Sequence, residues 1–261
     1  MRDFTLQAYT RLIESLKGVG YSFQTFQQFL EKPLEKVIIL RHDVDKLPIN
    51  SLKTAQIEKQ LGICGSYYFR IVKESNNPEI IKEIADFGHE IGYHYEDLAL
   101  VNGDIVRAIK SFDENLNYFR NFYHIKTICM HGSPLSKYDN RNIWKTYDYR
   151  SFGIIGEPYF DVDFSKVLYL TDTGRRWNGE KVSIRDKVQL TEKGSHPQLN
   201  TNYSFRHTND IIKAVEEGRF PNQVMFTIHP QRWNDGMILW TKELISQNIK
   251  NIAKSLLNRI K

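Results

Sequence analysis

Residues 37–45, Val-Ile-Ile-Leu-Arg-His-Asp-Val-Asp, constrain the fold of this chain more than any other stretch. Four consecutive β-branched or leucine side chains, set between Pro33 and Pro48, read as a short strand buried on both faces, as in parallel sheets. Its end is abruptly polar: Arg41, His42, Asp43 and Asp45. Buried, each of these would need a partner, so they are expected where the strand meets solvent. Side chains alternate along a strand, which puts Asp43 and Asp45 side by side at its C-terminal mouth. Such a pair can bind a divalent metal or divide into a base and a ligand.

Similar units recur along the chain. Apolar spacing predicts a leading helix over 4–16 and further strands at 65–71, 89–95, 127–131, 152–155, 167–171 and 224–228. Helices are expected between them. Asn77, Pro78 and Gly88 bracket one, Asp104 caps a long one, and others span 209–217 and about 238–260. Seven strands alternating with helices, without an internal repeat, indicate a single α/β domain with a parallel sheet. Asp43, Asp45, Arg70, His94, Glu96, His131, Glu157, Asp172 and His229 all fall at or just past strand ends. An open sheet would gather such groups only at its switch point, whereas a barrel draws its site from nearly every strand. The expectation is a distorted (β/α)7 TIM-like barrel over 37–261, with 1–36 as a helix and lead-in packed on it. Residues 174–207 are polar and rich in breakers, and read as a long loop over the site.

Lys and Arg exceed Asp and Glu by only 36 to 31, with no basic block or stripe, so no nucleic-acid partner is expected. The mild excess suits an anionic substrate or nothing in particular. Cys64 and Cys129 lie in different apolar segments, which suits core positions in a reducing compartment. The first residues lack the apolar run of a signal peptide and no 18-residue apolar stretch occurs, so a cytoplasmic protein without membrane insertion is expected. Phosphate-loop, dinucleotide-binding and nucleophile-elbow motifs are absent.

Several constellations carry possible chemistry. If their strand continues, His94 and Glu96 share a face, and both are metal-ligand types; the blander reading makes Glu96 and Asp97 loop caps. His131 ends its strand in the turn His-Gly-Ser-Pro, where a ligand can approach at the glycine. Asp172, Arg175 and Trp177 suggest a sugar platform with cations, or a loop merely anchored by its tryptophan. His229 is placed for acid–base work. For any one of these histidines taken alone, a core imidazole bonded to a carbonyl is the commoner case.

In their order and spacing these strand-end motifs resemble the polysaccharide deacetylases with the NodB homology domain, the carbohydrate esterase 4 family. That family has a distorted (β/α)7 barrel and removes N- or O-acetyl groups from sugars with a divalent metal, usually zinc. Its Thr-Phe-Asp-Asp-Gly motif is similar to Arg41 to Asp45. Its Gly-His-Glu-Ile-Gly-x-His motif, followed by Ser/Thr-x-x-His, is similar to Gly88 to Leu98, and its Leu-x-x-His-Pro motif to Thr227 to Pro230. Its Arg-Pro-containing motif falls at Met130 to Pro134. The departures are Val44 in place of the second aspartate and Leu98 in place of the second metal histidine. The chain looks most like a branch of the family associated with bacterial surface-polysaccharide synthesis, marked by its His-Asp-Val-Asp and His-Tyr-Glu-Asp sequences.

The resemblance implies a metal-dependent hydrolase acting on an acetylated saccharide. Asp45, His94 and Glu96 would hold zinc, with His131 or Asp97 as other sources of the third ligand. Asp43 would be the base and His229 the acid, with Arg70, Asp172, Arg175 and Trp177 near the substrate. Two other readings remain: a barrel that has lost its chemistry and binds a saccharide, favoured by Leu98, and a glycosyltransferase using Asp43-Val44-Asp45. Only 42 residues precede Asp43, little room for the nucleotide-binding unit a transferase would need.

Overall fold

A computed structural model describes residues 2–133, 136–178 and 203–260, with 252–260 as helix backbone only. The strands are β1 (Ser22–Gln24), β2 (Val37–Val44), β3 (Ser66–Phe69), β4 (Glu90–Tyr95), β5 (Ile128–Met130), β6 (Leu168–Thr171) and β7 (Gln223–Ile228). The α-helices are α1 (Leu6–Gly18), α2 (Phe26–Glu31), α3 (Pro48–Gln60), α4 (Pro78–Asp86), α5 (Asp97–Leu100), α6 (Ile105–Arg120), α7 (Pro158–Asp161), α8 (Thr208–Glu216) and α9 (Met237–Ile260). Short 3-10 turns occupy Asn140–Lys145, Tyr149–Phe152 and Pro230–Arg232. No described helix is long and apolar enough to cross a membrane.

All pairings between these strands are parallel, in the order β5-β4-β3-β2-β7-β6, with β1 alongside the start of β2. In a doubly wound sheet the last strand ends at an edge. Here β7 returns to lie beside β2, as in a ring wound in one direction, and the sheet curls into a half-barrel with helices outside. Beyond β5, among the described residues, the ring continues as a single parallel bridge from Thr127 to Gly156.

The local cues act as expected at most elements. Asn77 accepts from the Ile80 amide with Pro78 in the first turn of α4, and Asp104 accepts from Arg107 at the start of α6. β2 is buried along all eight residues. The strand expected at 152–155 does not form. Tyr149–Phe152 coils into a 3-10 turn that Gly153 ends at φ 72°, leaving Gly156 alone to pair. The sequence reading also passed over β1 and α2. Thr25 and Gln28 form a capping box on α2, whose Phe26 and Phe29 pack against Val37 and Ile39. The backbone amides of Phe26 and Gln27 bond Ser66 Oγ and Glu90 Oε2, so α2 sits at the N-terminal ends of β3 and β4 and leaves the opposite end for chemistry. Cys129 is buried and Cys64 only half-buried. Residues 179–202, most of the loop expected to cover the site, lie outside the described residues, as does Pro134.

Candidate active site

The polar end of β2 is not at the solvent boundary. Arg41, His42 and Asp43 are 1 %, 0 % and 4 % exposed, and each is buried with a partner. Arg41 and Asp43 share the inner face of the curl, where the guanidinium grips the carboxylate through Nε at 2.8 Å and Nη2 at 2.6 Å. Burial alone would raise the Asp43 pKa, but Arg41 and His94 outweigh it and hold it below the usual range. His42 faces the other way and has no part in this site. Its ring stacks on Tyr67 with centroids 4.0 Å apart and meets the buried Glu58 at 2.9 Å.

Beyond the strand end, Asp45 is the point on which three imidazoles converge. His131 Nε2 lies 3.5 Å and His94 Nε2 3.7 Å from its Oδ1, while His229 Nε2 lies 3.9 Å from Oδ2. Oδ2 accepts a hydrogen bond from Gln231 Nε2 at 3.0 Å; Oδ1 is buried with no hydrogen-bond partner. Each ring is held from behind through Nδ1. His94 meets the Cys129 carbonyl at 2.9 Å, His131 meets Glu96 at 2.8 Å and His229 meets Asp172 at 2.6 Å. A carbonyl can only accept, so His94 Nδ1 carries the proton and its Nε2 lone pair points towards the carboxylates. Burial pushes the His94 pKa down to about 4, which keeps that ring neutral. Burial would raise the Asp45 pKa, and the surrounding His131, His229 and His94 turn it well downward instead. A neutral imidazole lone pair and an unpaired carboxylate oxygen facing each other are donors that a cation would satisfy together. The donor set suits a divalent metal, because ring orientation by a second hydrogen bond is how protein metal sites fix histidine ligands.

The other predicted residues divide. Glu96 sits behind His131: Arg70 Nε and Nη2 hold its Oε1 at 2.7 and 2.6 Å, and its Oε2 receives His131 and Ser133 Oγ. Its pKa falls to about 2 because His131 and Arg70 outweigh burial. Both oxygens are engaged, so the ligand role expected of Glu96 from the sequence would compete with its bonds to Arg70, His131 and Ser133. Asp97 turns away to Tyr93, Ser111 and Asn115 at 2.6–2.8 Å and ties α5 to α6. Leu98 packs with Ala108 and Ile143. Asp172 is fully buried and receives the His229 amide and Nδ1, Arg232 and Trp233 Nε1, so it positions His229 rather than touching a sugar.

Of the two readings of the Asp172–Trp177 segment, the packing favours the loop anchored by its tryptophan over the sugar platform. Trp177 is 3 % exposed, lies within ring-contact range of Phe4, Phe226 and Trp233, and donates to Thr208. The Arg175 guanidinium is placed over Phe4 and Trp240 at 5.1 and 4.9 Å. The sequence reading missed Gln231 and Arg232, although both follow His229-Pro230 directly. It also missed Cys129, which offers a ligand atom within 4.8 Å of atoms of Asp43 and His94. Leu47, Ser133 and Arg175 take positive φ of 54°, 38° and 58° within three residues of Asp45, His131 and Asp172. Non-glycine residues held in this region concentrate at functional sites.

No family model matches the chain, and no curated protein matches it. Among solved structures it is similar to a CE4 family pseudoenzyme from Bacillus anthracis, with 15% identity and TM-score 0.44 over 85% of this chain and 62% of that one. It thus spans less than two thirds of that protein. It is similar to the Xyl-CE4 domain of a multidomain xylanase from the hindgut metagenome of Trinervitermes trinervoides, with 12% identity and TM-score 0.42 over 84% of each chain. A family 4 carbohydrate esterase from Streptomyces lividans, in complex with acetate, shows 13% identity and TM-score 0.40 over 86% of this chain and 89% of that one. These likenesses concern the course of the backbone and bear on neither substrate nor activity.

Proposed function

We propose that this protein is a metal-dependent hydrolase that removes acetyl groups from a saccharide. The observation that carries the reading is the buried, unpaired Asp45 Oδ1 facing the imidazole nitrogens of His94 and His131, whose opposite edges are both held. Asp45 and His94 would hold the ion, most simply zinc. A zinc ion bound there would supply Lewis acidity and a water of lowered pKa.

The chain's own residues divide the remaining work. Asp43 is kept ionised by Arg41 and stands 3.7 Å from His94 Nε2, placed to accept a proton. His229 has its Nδ1 proton anchored on Asp172 and its Nε2 open to the cleft. Burial and Arg232 push its pKa down, but Asp172 and Asp45 reverse this and leave it raised, so the ring can supply a proton to a departing amine or hydroxyl. Asp45 and His131 keep 24 % and 15 % of their side-chain surface exposed, the opening through which a substrate would enter.

One observation favours a saccharide-binding barrel without chemistry: the Leu98 position, expected to carry a ligand, is packed into the core. Both readings are tested by offering the zinc-loaded protein a panel of N- and O-acetylated oligosaccharides and measuring released acetate. Release that a chelator abolishes and zinc restores is expected. Saccharide binding without any release, loaded or stripped, would establish the inactive barrel instead.

A further inference from the structure

We infer that His131, from the end of β5, completes the protein ligands of this metal site, in place of a ligand from the segment after β4. The inference rests on the metal-dependent reading above and goes further by fixing which strands build the centre.

Three observations converge on it. His131 Nε2 approaches the same unpaired oxygen, Asp45 Oδ1, as His94 does, at 3.5 and 3.7 Å. His229 instead faces Oδ2, which Gln231 already occupies, from 3.9 Å. The second observation is support. The Glu96 carboxylate holds His131 Nδ1 and is itself gripped by Arg70, a carboxylate–histidine arrangement that fixes ring orientation at metal centres. The His131 backbone is tied as well: its amide donates to the Tyr95 carbonyl, and its own carbonyl receives Asn140 Nδ2, both at 2.9 Å.

The third observation removes the competitors. Leu98 is apolar and buried, Asp97 is spent on α6, and both Glu96 oxygens are engaged. Cys129 lies near Asp43 and His94, but an ion there would have to displace the two-pronged buried grip of Arg41 on Asp43. Asp45 needs no such displacement. The register between β4 and β5 accounts for the placement: Tyr95 pairs with Met130, which brings Glu96 alongside His131 one step beyond the ladder.

The test is metal binding, not turnover. Chelator-stripped wild type, His131→Ala, Glu96→Gln and Asp97→Asn are titrated with zinc against a chromophoric chelator, and the cobalt(II) forms are compared by visible absorption. Folding of each stripped protein is followed by circular dichroism, with His131→Gln as a second variant should the alanine protein fail to fold. The expected result is about one ion on the wild type and on Asp97→Asn. Affinity should fall roughly 10–100-fold in Glu96→Gln, the scale of lost outer-shell support, and at least about 100-fold in His131→Ala, with a changed cobalt spectrum. Wild-type affinity and an unchanged spectrum in a folded His131 variant would overturn this inference and leave the hydrolase reading standing. A wild type that takes up neither ion would overturn both.

Discussion

Replacing Asp172 with asparagine should damage stability and catalysis together, in amounts the structure sets. The carboxylate is fully buried and receives four donors: the His229 amide at 3.0 Å, His229 Nδ1 at 2.6 Å, Arg232 Nη1 at 2.5 Å and Trp233 Nε1 at 2.8 Å. Burial raises its pKa, but Arg232 and His229 outweigh this and lower it. Asparagine keeps the shape and loses the charge, which leaves Arg232 buried without its counter-ion. Removing one member of such a pair costs about 3–5 kcal/mol, against a total stability of about 5–15 kcal/mol for a domain. His229→Ala keeps the Asp172–Arg232–Trp233 contacts and should cost only about 1 kcal/mol. A carboxyl whose pKa is lower in the folded state stabilises fully above its unfolded value and loses that contribution as pH falls through the folded one. The gap between wild type and Asp172→Asn should therefore be full at pH 7 and narrow below about pH 4. Urea unfolding at pH 3.5, 5 and 7 measures it. Loss of the Nδ1 anchor should also cut acetate release on the order of 10³–10⁴-fold, the scale seen when a buried aspartate behind a catalytic histidine is made neutral. An asparagine variant that melts with the wild type at pH 7, or that turns over substrate unchanged, would refute the reasoning.

Glu157 is fully buried, and desolvation pushes its carboxyl up to about 7 from 4.5, so the folded protein holds a proton there that the unfolded chain releases. Stability should fall as pH rises from about 4.5 to 7, by up to about 3 kcal/mol, and Glu157→Gln should remove that slope in urea unfolding at pH 5 and 8. Trp177→Ala should cost about 3–5 kcal/mol of stability and leave zinc affinity alone; a loss of saccharide binding without a loss of stability would restore the sugar-platform reading. Leu98→Ala should cost about 2–5 kcal/mol, again with zinc uptake intact, since the side chain fills a cavity between α5, α6 and the Asn140–Lys145 turn.

The parts of the fold that were legible in the sequence are those where one force dominates. β2, β4 and β7 are almost wholly buried; the apolar runs that open β2 and fill most of β7, and the alternating Ile91, Tyr93 and Tyr95 of β4, mark them without help from a partner. α4 and α6 announce themselves through side-chain caps that act within three residues. The failures occur where a neighbour decides. Phe152-Gly-Ile-Ile has a strand's composition, but Gly153 turns left-handed and pairing survives only at Gly156. β1 is three residues long and exists because β2 offers it an edge. Trp177 and Arg175 carry the chemistry of a sugar site, and what buries them is the distant Phe4, Trp233 and Trp240, which no local pattern reveals.

The same reasoning explains why the aspartates and histidines could be found while the choice among Glu96, Asp97 and His131 for a third ligand could not be made. Strand alternation is a local property, so the placement of Asp43 relative to Asp45, and of His94 relative to Glu96, follows from the chain itself. Which group at the mouth then turns towards Asp45 depends on the register of β5 against β4, a relation between segments 35 residues apart at Cys129 and His94. A slip of one residue would reverse which side chains face inward, bringing Met130 rather than His131 to the mouth and leaving Glu96 without its imidazole. Adjacent strand ends lie only about 4.8 Å apart, so a ligand can pass from one strand to the next while the metal site stays where it is. On this view Leu98 does not mark a lost centre. Once β5 supplies an imidazole held by Glu96 and Arg70, the position after β4 is free to serve the core.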